Sequence, residues 1–406
     1  MEHQLKKLGN GTRIILASQQ QARTTAIIIG ARVGSRDESE KQFGIAHFIE
    51  HMFFKGTKIR PTFLDVSKDL DALGANYNAF TSNEFTSFFV HSASEKSLES
   101  AEILFDLFLH NTLSMAEIEK EKAVIAEEIN MYEDMPQAKA SQEFQKLIFS
   151  GHSLSHPIAG EKTTIANFKK KDLQKFIADN YVVQNIVVAI AGKFDKELAK
   201  FVQEKLESFS NTTAQVFTPK KVNITKQEKV FQKNIDQAHI LLGFPVFSAN
   251  DPRRFTLQIL ENILGGMMSS RLFVEVREKR GLAYYVSSSS SLFLDNGYLA
   301  VRAGLNKTKL DEGIQAIRQE IKKMANEKVF ESELARAKDN FVGQFLLNLE
   351  SGIDVAQYYL GQELLQKEVL SPGQVIKQVE KVSQNDIIDL AQNIFDFDKE
   401  NLVIVK

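Results

Sequence analysis

KKDLQKFIADNYVVQNIVVAIAG, residues 170–192, and SQNDIIDLAQNIFDFDKENLVIV, residues 383–405, carry one pattern twice. In each, apolar residues recur at helical spacing, a polar turn follows, and a β-branched run closes the segment. Asp172 matches Asp386 and Asn185 matches Asn401, with the intervening turn slightly longer in the second copy. Outward from these segments, both halves open with short β-branched strands (residues 14–16 and 24–29, then 239–244) and continue with long helical patterns rich in Leu, Ile and Phe. Between the halves, SFSNTTAQVFTPKK at 208–221 replaces the periodic apolar residues with Ser, Thr, Asn and Pro and reads as a linker. The expected organisation is a duplicated unit of about 200 residues, with domains at 1–210 and 221–406. Hairpin signals precede the helices instead of alternating with them. That order predicts an α+β fold in which each domain is a mainly antiparallel sheet packed with helices.

Composition narrows the function classes. The 406 residues are 43% hydrophobic with 7 Pro and 21 Gly, which excludes disorder and collagen-like repetition. Lys and Arg number 50 against 52 Asp and Glu, and the net charge of −2 gives no global attraction to a polyanion, so no nucleic-acid partner is expected. No run approaches the ~18–20 apolar residues of a membrane helix. The start, MEHQLKKLGNGTRIILAS, lacks the apolar block and cleavage site of an export signal. A cytoplasmic, bacterial protein without a membrane partner is expected, although a mature organellar protein shares these features. With no cysteine, any metal must be held by His and carboxylate.

One segment supplies such a set. In GIAHFIEHMFFKGT, residues 44–57, Ile45, Phe48, Ile49 and Met52 support a helix bearing His47, Glu50 and His51. At about 100° per residue, His51 falls ~40° from His47 and Glu50 ~60° to the other side, so the three share one face. Two imidazoles one turn apart can chelate Zn²⁺, leaving the carboxylate between them to accept a proton from water at the metal. The order HxxEH inverts the commoner HExxH, and a chance match is expected in about one chain in fifty of this composition. The alternative is a pair of hydrogen-bonded histidines that bind no metal.

A third ligand must come from elsewhere, and EIEKEKAVIAEEINMYED, residues 117–134, offers Glu117, Glu119, Glu121, Glu127 and Glu128. Taking Glu121 as the origin, Ile125 falls at about 40°, Ile129 at about 80°, Tyr132 at about 20° and Glu128 at about 340°, whereas Glu127 lies at about 240°. Glu121 and Glu128 therefore sit inside an apolar stripe, where a carboxylate is costly unless paired or bound to a metal. Glu128 as the third zinc ligand, with Glu121 as an assisting carboxylate, accounts for both. The alternative is a helix whose acids face solvent.

HFIEHMFFKGT, followed further along the chain by Glu128 in EKAVIAEEI, resembles the inverzincin metallopeptidases of the M16 family, and the resemblance extends over almost the whole chain. It implies that His47, His51 and Glu128 bind one zinc per chain, that Glu50 is the general base and that Glu121 is an additional acidic catalytic residue. GANYNAFTSNEFTSFFV, residues 74–90, is similar to the family's substrate-binding edge strand, with Asn78 and Ala79 beside the scissile bond; composition alone gives only a strand. In the second half, LGGMMSSRLFVEVREKRGLAYYVSS at 264–288 resembles a block typical of the family, which implies that Arg277 and Tyr284 hold the substrate carbonyl. Without the family, the same residues read as a helix cap at Gly265 and Gly266 and a basic turn at Arg277, Lys279 and Arg280. His152 and His156 stand four apart in a loop rich in Ser and Gly and are expected to bind no metal.

These readings predict a zinc endopeptidase acting on peptides or unfolded segments. The alternatives are a specific processing peptidase or a non-catalytic scaffold subunit. Larger family members carry four such domains in one chain, so the resemblance implies that this chain pairs with a second subunit. A homodimer is the simpler expectation, with a heterodimer of related subunits as the alternative.

Overall fold

The structure is a computed structural model that describes residues 3–210, 220 and 222–406. Most of the linker expected at 208–221 lies outside the described residues. Among the described residues there are two sheets. The strands β1 (Gln4–Lys7), β2 (Arg13–Ser18), β3 (Thr24–Ala31), β4 (Asn76–Thr81), β5 (Thr86–Ala93) and β6 (Ile186–Gly192) form one in the order β1-β2-β6-β3-β5-β4. The strands β7 (Gln227–Phe231), β8 (Gln237–Val246), β9 (Ala283–Leu292), β10 (Gly297–Asn306) and β11 (Asn401–Val405) form the other in the order β7-β11-β8-β10-β9. The fold is the α+β duplication expected from the sequence.

The two quoted segments occupy matching places. Each ends in a strand inserted at the centre of its sheet. β6 runs parallel to β2 and antiparallel to β3, and β11 runs parallel to β7 and antiparallel to β8. Every residue of β6 and β11 is buried, which is why IVVAIAG and NLVIV read as continuous apolar runs and not as alternation. The preceding helices, Lys170–Asn180 and Gln384–Ile394, begin alike. The Asp172 carboxylate accepts the Lys169 N–H at 2.9 Å, and the Asp386 carboxylate accepts the Ser383 N–H at 2.8 Å.

Between β3 and β6 the chain forms α1 (Ile45–Phe53), α2 (Phe63–Ala72), α3 (Ser97–His110), α4 (Met115–Asp134) and α5 (Pro136–Ile148). One face of the first sheet, with Ile27 and Ile29, packs with Phe48 and Ile49 of α1 and Leu104 and Phe105 of α3. The opposite face, with Ala26, Ile28 and Gly30, is covered by a helix from the other half of the sequence, Gly352–Leu365, which lies across β3 and β6. Arg13 of β2 ties that helix down through Glu363 at 3.1 Å.

The second sheet is treated the same way. Helix α5, from the first half, lies across β8 and β11. The repeat is the basis for expecting domains at 1–210 and 221–406; the compact units cross that division, with 131–155 grouped with the second sheet and 348–371 with the first. The cause is the two-sided burial of the central strands. Each sheet has a second apolar face, and the exchanged helix is what removes it from water. A glycine makes room on each sheet. A Cβ on Gly30 would stand 2.9 Å from methyls of Leu360 and Leu364, and one on Gly243 would stand 2.7 Å from the Phe144 ring.

Candidate metal centre

Helix α1 has nine residues, fewer than an isolated helix needs to persist in water. Tertiary contacts hold it. Ile45, Ala46, Phe48, Ile49, Met52 and Phe53 are buried in the first sheet's core. At its C-terminal end the Asn111 side chain donates to the Met52 and Phe53 carbonyls, both at 2.8 Å, satisfying acceptors that the helix leaves open. The remaining face presents His47, Glu50 and His51, and Glu128 of α4 comes against it.

The groups nearest one another form a compact set. A single Glu128 oxygen lies 3.3 Å from His51 Nε2 and 3.7 Å from His47 Nε2, and the two rings meet edge to face at 4.6 Å. Donor atoms of His47, His51 and Glu128 all fall within 4.8 Å of one another, and among the described residues no other such group occurs. Ligands at ~2.0–2.2 Å around a tetrahedral zinc stand about 3.4 Å apart, so the set fits a zinc ion.

Its electrostatics fit as well. Burial, then the neighbouring His51, lowers His47 to about 4 against the pull of Glu128, so His47 is a neutral imidazole with a lone pair available. Burial would also lower His51, but Glu121 and Glu128 outweigh it and push His51 up to about 9. A cluster that draws in a proton at neutral pH is one that a divalent cation suits. Glu50 is pushed up, chiefly by burial and also by Glu128, with Thr81 and His51 opposing.

Glu121 stands behind His51. Its carboxylate is 2.9 Å from His51 Nδ1 and 2.6 Å from the Lys55 ammonium, and its side chain is 5% exposed. Burial opposes ionisation there, but His51 and Lys55 prevail and hold the carboxyl below its usual range. Glu121 and Glu128 both lie against the histidines of α1, whereas Glu127 is exposed. Sequence reasoning misses Lys55 and Asn111. The signal for Lys55 is present, since it lies one turn beyond His51.

Asn78 and Ala79 lie on β4, which among the described residues is the last strand of its sheet and pairs with β5 alone. Asn78 is exposed, and its side-chain oxygen accepts the Ala79 N–H at 2.8 Å. Arg277 and Tyr284 belong to the other unit. Arg277 is not in a turn, as its charged neighbours suggest. It lies in the π-helical segment Phe273–Glu278, with its guanidinium 4.6 Å over the Phe273 ring. Tyr284 is in β9 and 72% exposed. His152 accepts the Leu154 N–H through Nδ1, and His156 stacks on Phe43.

The family profile described as Insulinase (Peptidase family M16) matches residues 13–162, and the one described as Peptidase M16 inactive domain matches 167–341. A Bacillus subtilis protein named an uncharacterized zinc protease, YmxG, is 32% identical over 95% of this chain and 94% of its own length. An uncharacterized zinc protease of Rickettsia bellii is 32% identical over 98% and 97%. The chain belongs to the M16 peptidase family. Among solved structures, the fold of this M16 chain is shared by a protease from Helicobacter pylori, with TM-score 0.93, 23% identity and coverage of 100% and 99%. A putative M16-like peptidase from Alicyclobacillus acidocaldarius also shares it, with TM-score 0.88, 22% identity and coverage of 100% and 98%.

The second half of the M16 chain repeats the motif spacing with different chemistry. QILEN at 258–262 aligns with HFIEH at 47–51, placing Gln258 and Asn262 where the first half has imidazoles. Glu333 and Asn340 stand seven apart on the helix Glu331–Leu347, as Glu121 and Glu128 do on α4. Asn262 donates to the Asn340 side chain at 3.3 Å and to the Ala337 carbonyl at 3.1 Å, and Glu333 pairs with Arg271 at 2.8 Å. The Asn262 amide thus ties the π-helical segment Asn262–Gly266 to the helix Glu331–Leu347.

Proposed function

We propose that this chain is a zinc-dependent endopeptidase, with His47, His51 and Glu128 holding one zinc ion and Glu50 as general base. The observation that carries the reading is the triangle of His47, His51 and Glu128 donors on the same helix face as Glu50. Bound zinc supplies Lewis acidity, lowering the pKa of water and polarising a carbonyl. Glu50, raised by burial, accepts a proton from the attacking water and returns it to the departing amine. Glu121 takes the Nδ1 proton side of His51 and keeps Nε2 pointed at Glu128. The free edge of β4 adds an extended peptide as a further strand, with Asn78 and Ala79 beside the scissile bond. Main-chain pairing of that kind suits loose sequence preference.

Arg277 and Tyr284 donate to the carbonyl oxygen as charge develops on it. Both are supplied in trans by the second copy of a homodimer. The protein works in the cytoplasm. Among the described residues no helix is long and apolar enough to cross a membrane.

The test is hydrolysis of a mixed library of quenched peptides of about ten residues, with and without chelator, beside Glu50→Gln. Chelator-sensitive cleavage that is lost in Glu50→Gln while its zinc content is kept supports the reading. Absence of cleavage by a chain carrying one zinc overturns it.

A further inference from the structure

Between β3 and α1 the chain makes a five-residue turn, Gly34 to Glu38, in which Ser35, Arg36 and Glu38 are buried. Burying two charged groups so close together is costly unless each is matched. Their partners lie on two different elements of the same unit.

On one side the turn grips the tip of the β4–β5 hairpin. Ser35 N–H donates to the Ser82 carbonyl at 3.2 Å, and Arg36 N–H donates to the Asn83 carbonyl at 2.9 Å. The Asn83 amide donates to the Ser35 hydroxyl at 3.0 Å, and the Arg36 guanidinium pairs with the Glu84 carboxylate, both almost wholly buried. The fit leaves no room at Gly34, where a Cβ would stand 2.4 Å from the Ser82 carbonyl oxygen. On the other side, Glu38 reaches the start of α1. One carboxylate oxygen accepts the Gly44 N–H at 2.7 Å and the other the Ala46 N–H at 2.9 Å.

Those N–H groups are donors that a helix start leaves without partners. Gly44, with φ of 92°, is the N-cap and has no side chain to serve them, so the Glu38 carboxyl does so from six residues upstream. His47 follows Ala46 directly. Directly before the gripped tip, β4 ends at Thr81, beside Glu50. The turn is therefore a bracket with β4 in one jaw and α1 in the other.

We propose that Glu38 is a positioning residue for the reaction: it fixes the N-terminus of α1 against the bracketed β4–β5 hairpin and so sets the register between an edge-bound peptide and Glu50. The claim rests on the peptidase reading above for its kinetic consequence, but not for its structural one.

The experiment compares the intact chain with Glu38→Gln, Glu38→Asp and Glu84→Gln, and uses Glu99→Gln, an exposed acid on α3, as the control. Three quantities are read: zinc affinity by competition with a chromogenic chelator, amide exchange in peptides covering 44–54 and 76–86, and kcat and KM separately. Glu38→Gln keeps one zinc per chain, exchanges faster over 44–48, and loses about 10–100-fold in kcat with little change in KM, because misplacement of a catalytic group by about 1 Å costs that much. Glu38→Asp, with the carboxyl group but not the reach, falls between. Glu84→Gln loosens 76–86 and raises KM instead.

Unchanged exchange over 44–48 in Glu38→Gln overturns the proposal, as does a lowered melting temperature with kcat intact. If Glu38→Gln does not fold, Glu38→Asp and Glu84→Gln decide the matter by the same readouts. If the unmodified chain cleaves no peptide, the peptidase reading fails, and the exchange and zinc-affinity results still judge the bracket.

Discussion

His51 Nδ1 lies 2.9 Å from a carboxylate oxygen of Glu121, seventy residues further along the chain. That contact gives the imidazole an acceptor for its Nδ1 proton and leaves Nε2 as the donor atom facing Glu128. The second oxygen of Glu121 is held by Lys55, so the carboxylate cannot swing away. Glu121→Gln is expected to keep the fold and weaken zinc binding by about 10–100-fold. Competition against a chelator of known affinity reads this directly, and equal affinities in the two proteins would contradict it.

Metal removal should register in stability. A ligand present at a hundred times its dissociation constant adds about 2.7 kcal/mol to a folded state that alone binds it. Unfolding of the unmodified chain with zinc and with chelator should differ by about that amount, whereas His47→Ala should show no difference. A gain from zinc that survives His47→Ala would place the ion elsewhere.

The two glycines beneath the exchanged helices are not equally replaceable. At Gly30 the nearest atoms to an added methyl are the ends of Leu360 and Leu364, which can turn aside. At Gly243 they include the Leu299 carbonyl oxygen at 2.6 Å, which belongs to the paired strand. Gly243→Ala should cost about 1–3 kcal/mol, the range for overpacking a core, and Gly30→Ala clearly less. Urea midpoints of the two variants give the comparison, and the reverse order would refute it.

Glu261 provides a pH test away from the metal ligands. Burial raises its pKa, while the Ser290 hydroxyl and N–H, each at 2.7 Å, and Arg302 pull the other way. The folded chain therefore binds this proton more tightly than the unfolded chain, whose value is near 4.5. The stability from this group is full below that pH and is lost as pH rises through the higher folded value. Glu261→Gln removes the loss. Relative to the variant, the unmodified chain should become less stable between pH 4.5 and neutrality, and zinc effects common to both proteins cancel in the difference.

Much of the centre is legible in the sequence because helical period is a local property. His47, Glu50 and His51 share a face by spacing alone, and phase narrows five acids to Glu121 and Glu128. Asn111 and Glu38 are not legible, because their partners are set by how separate segments meet, and the spacing that places Lys55 one turn beyond His51 does not say that it meets Glu121. The terminal strands are readable for the same local reason, an unbroken apolar run. Arg277 misleads because charged residues in succession look like a turn, while the backbone there widens into a π-helix that keeps its hydrogen bonds. The sequence of Gly352–Leu365 does not say which sheet that helix covers.

That coverage bears on how the protein is made. A ribosome adds about 5–20 residues per second, so roughly 8–30 s separate the emergence of the first sheet's last strand from that of the helix that closes its outer face. During that interval Ala26, Ile28 and their neighbours stand open to water and to anything else apolar in the cell. The first half of this chain finishes folding only after most of the second has been synthesised. A nonsense mutation late in the gene, well downstream of every zinc ligand, would therefore leave the nascent chain in the hands of chaperones and proteases.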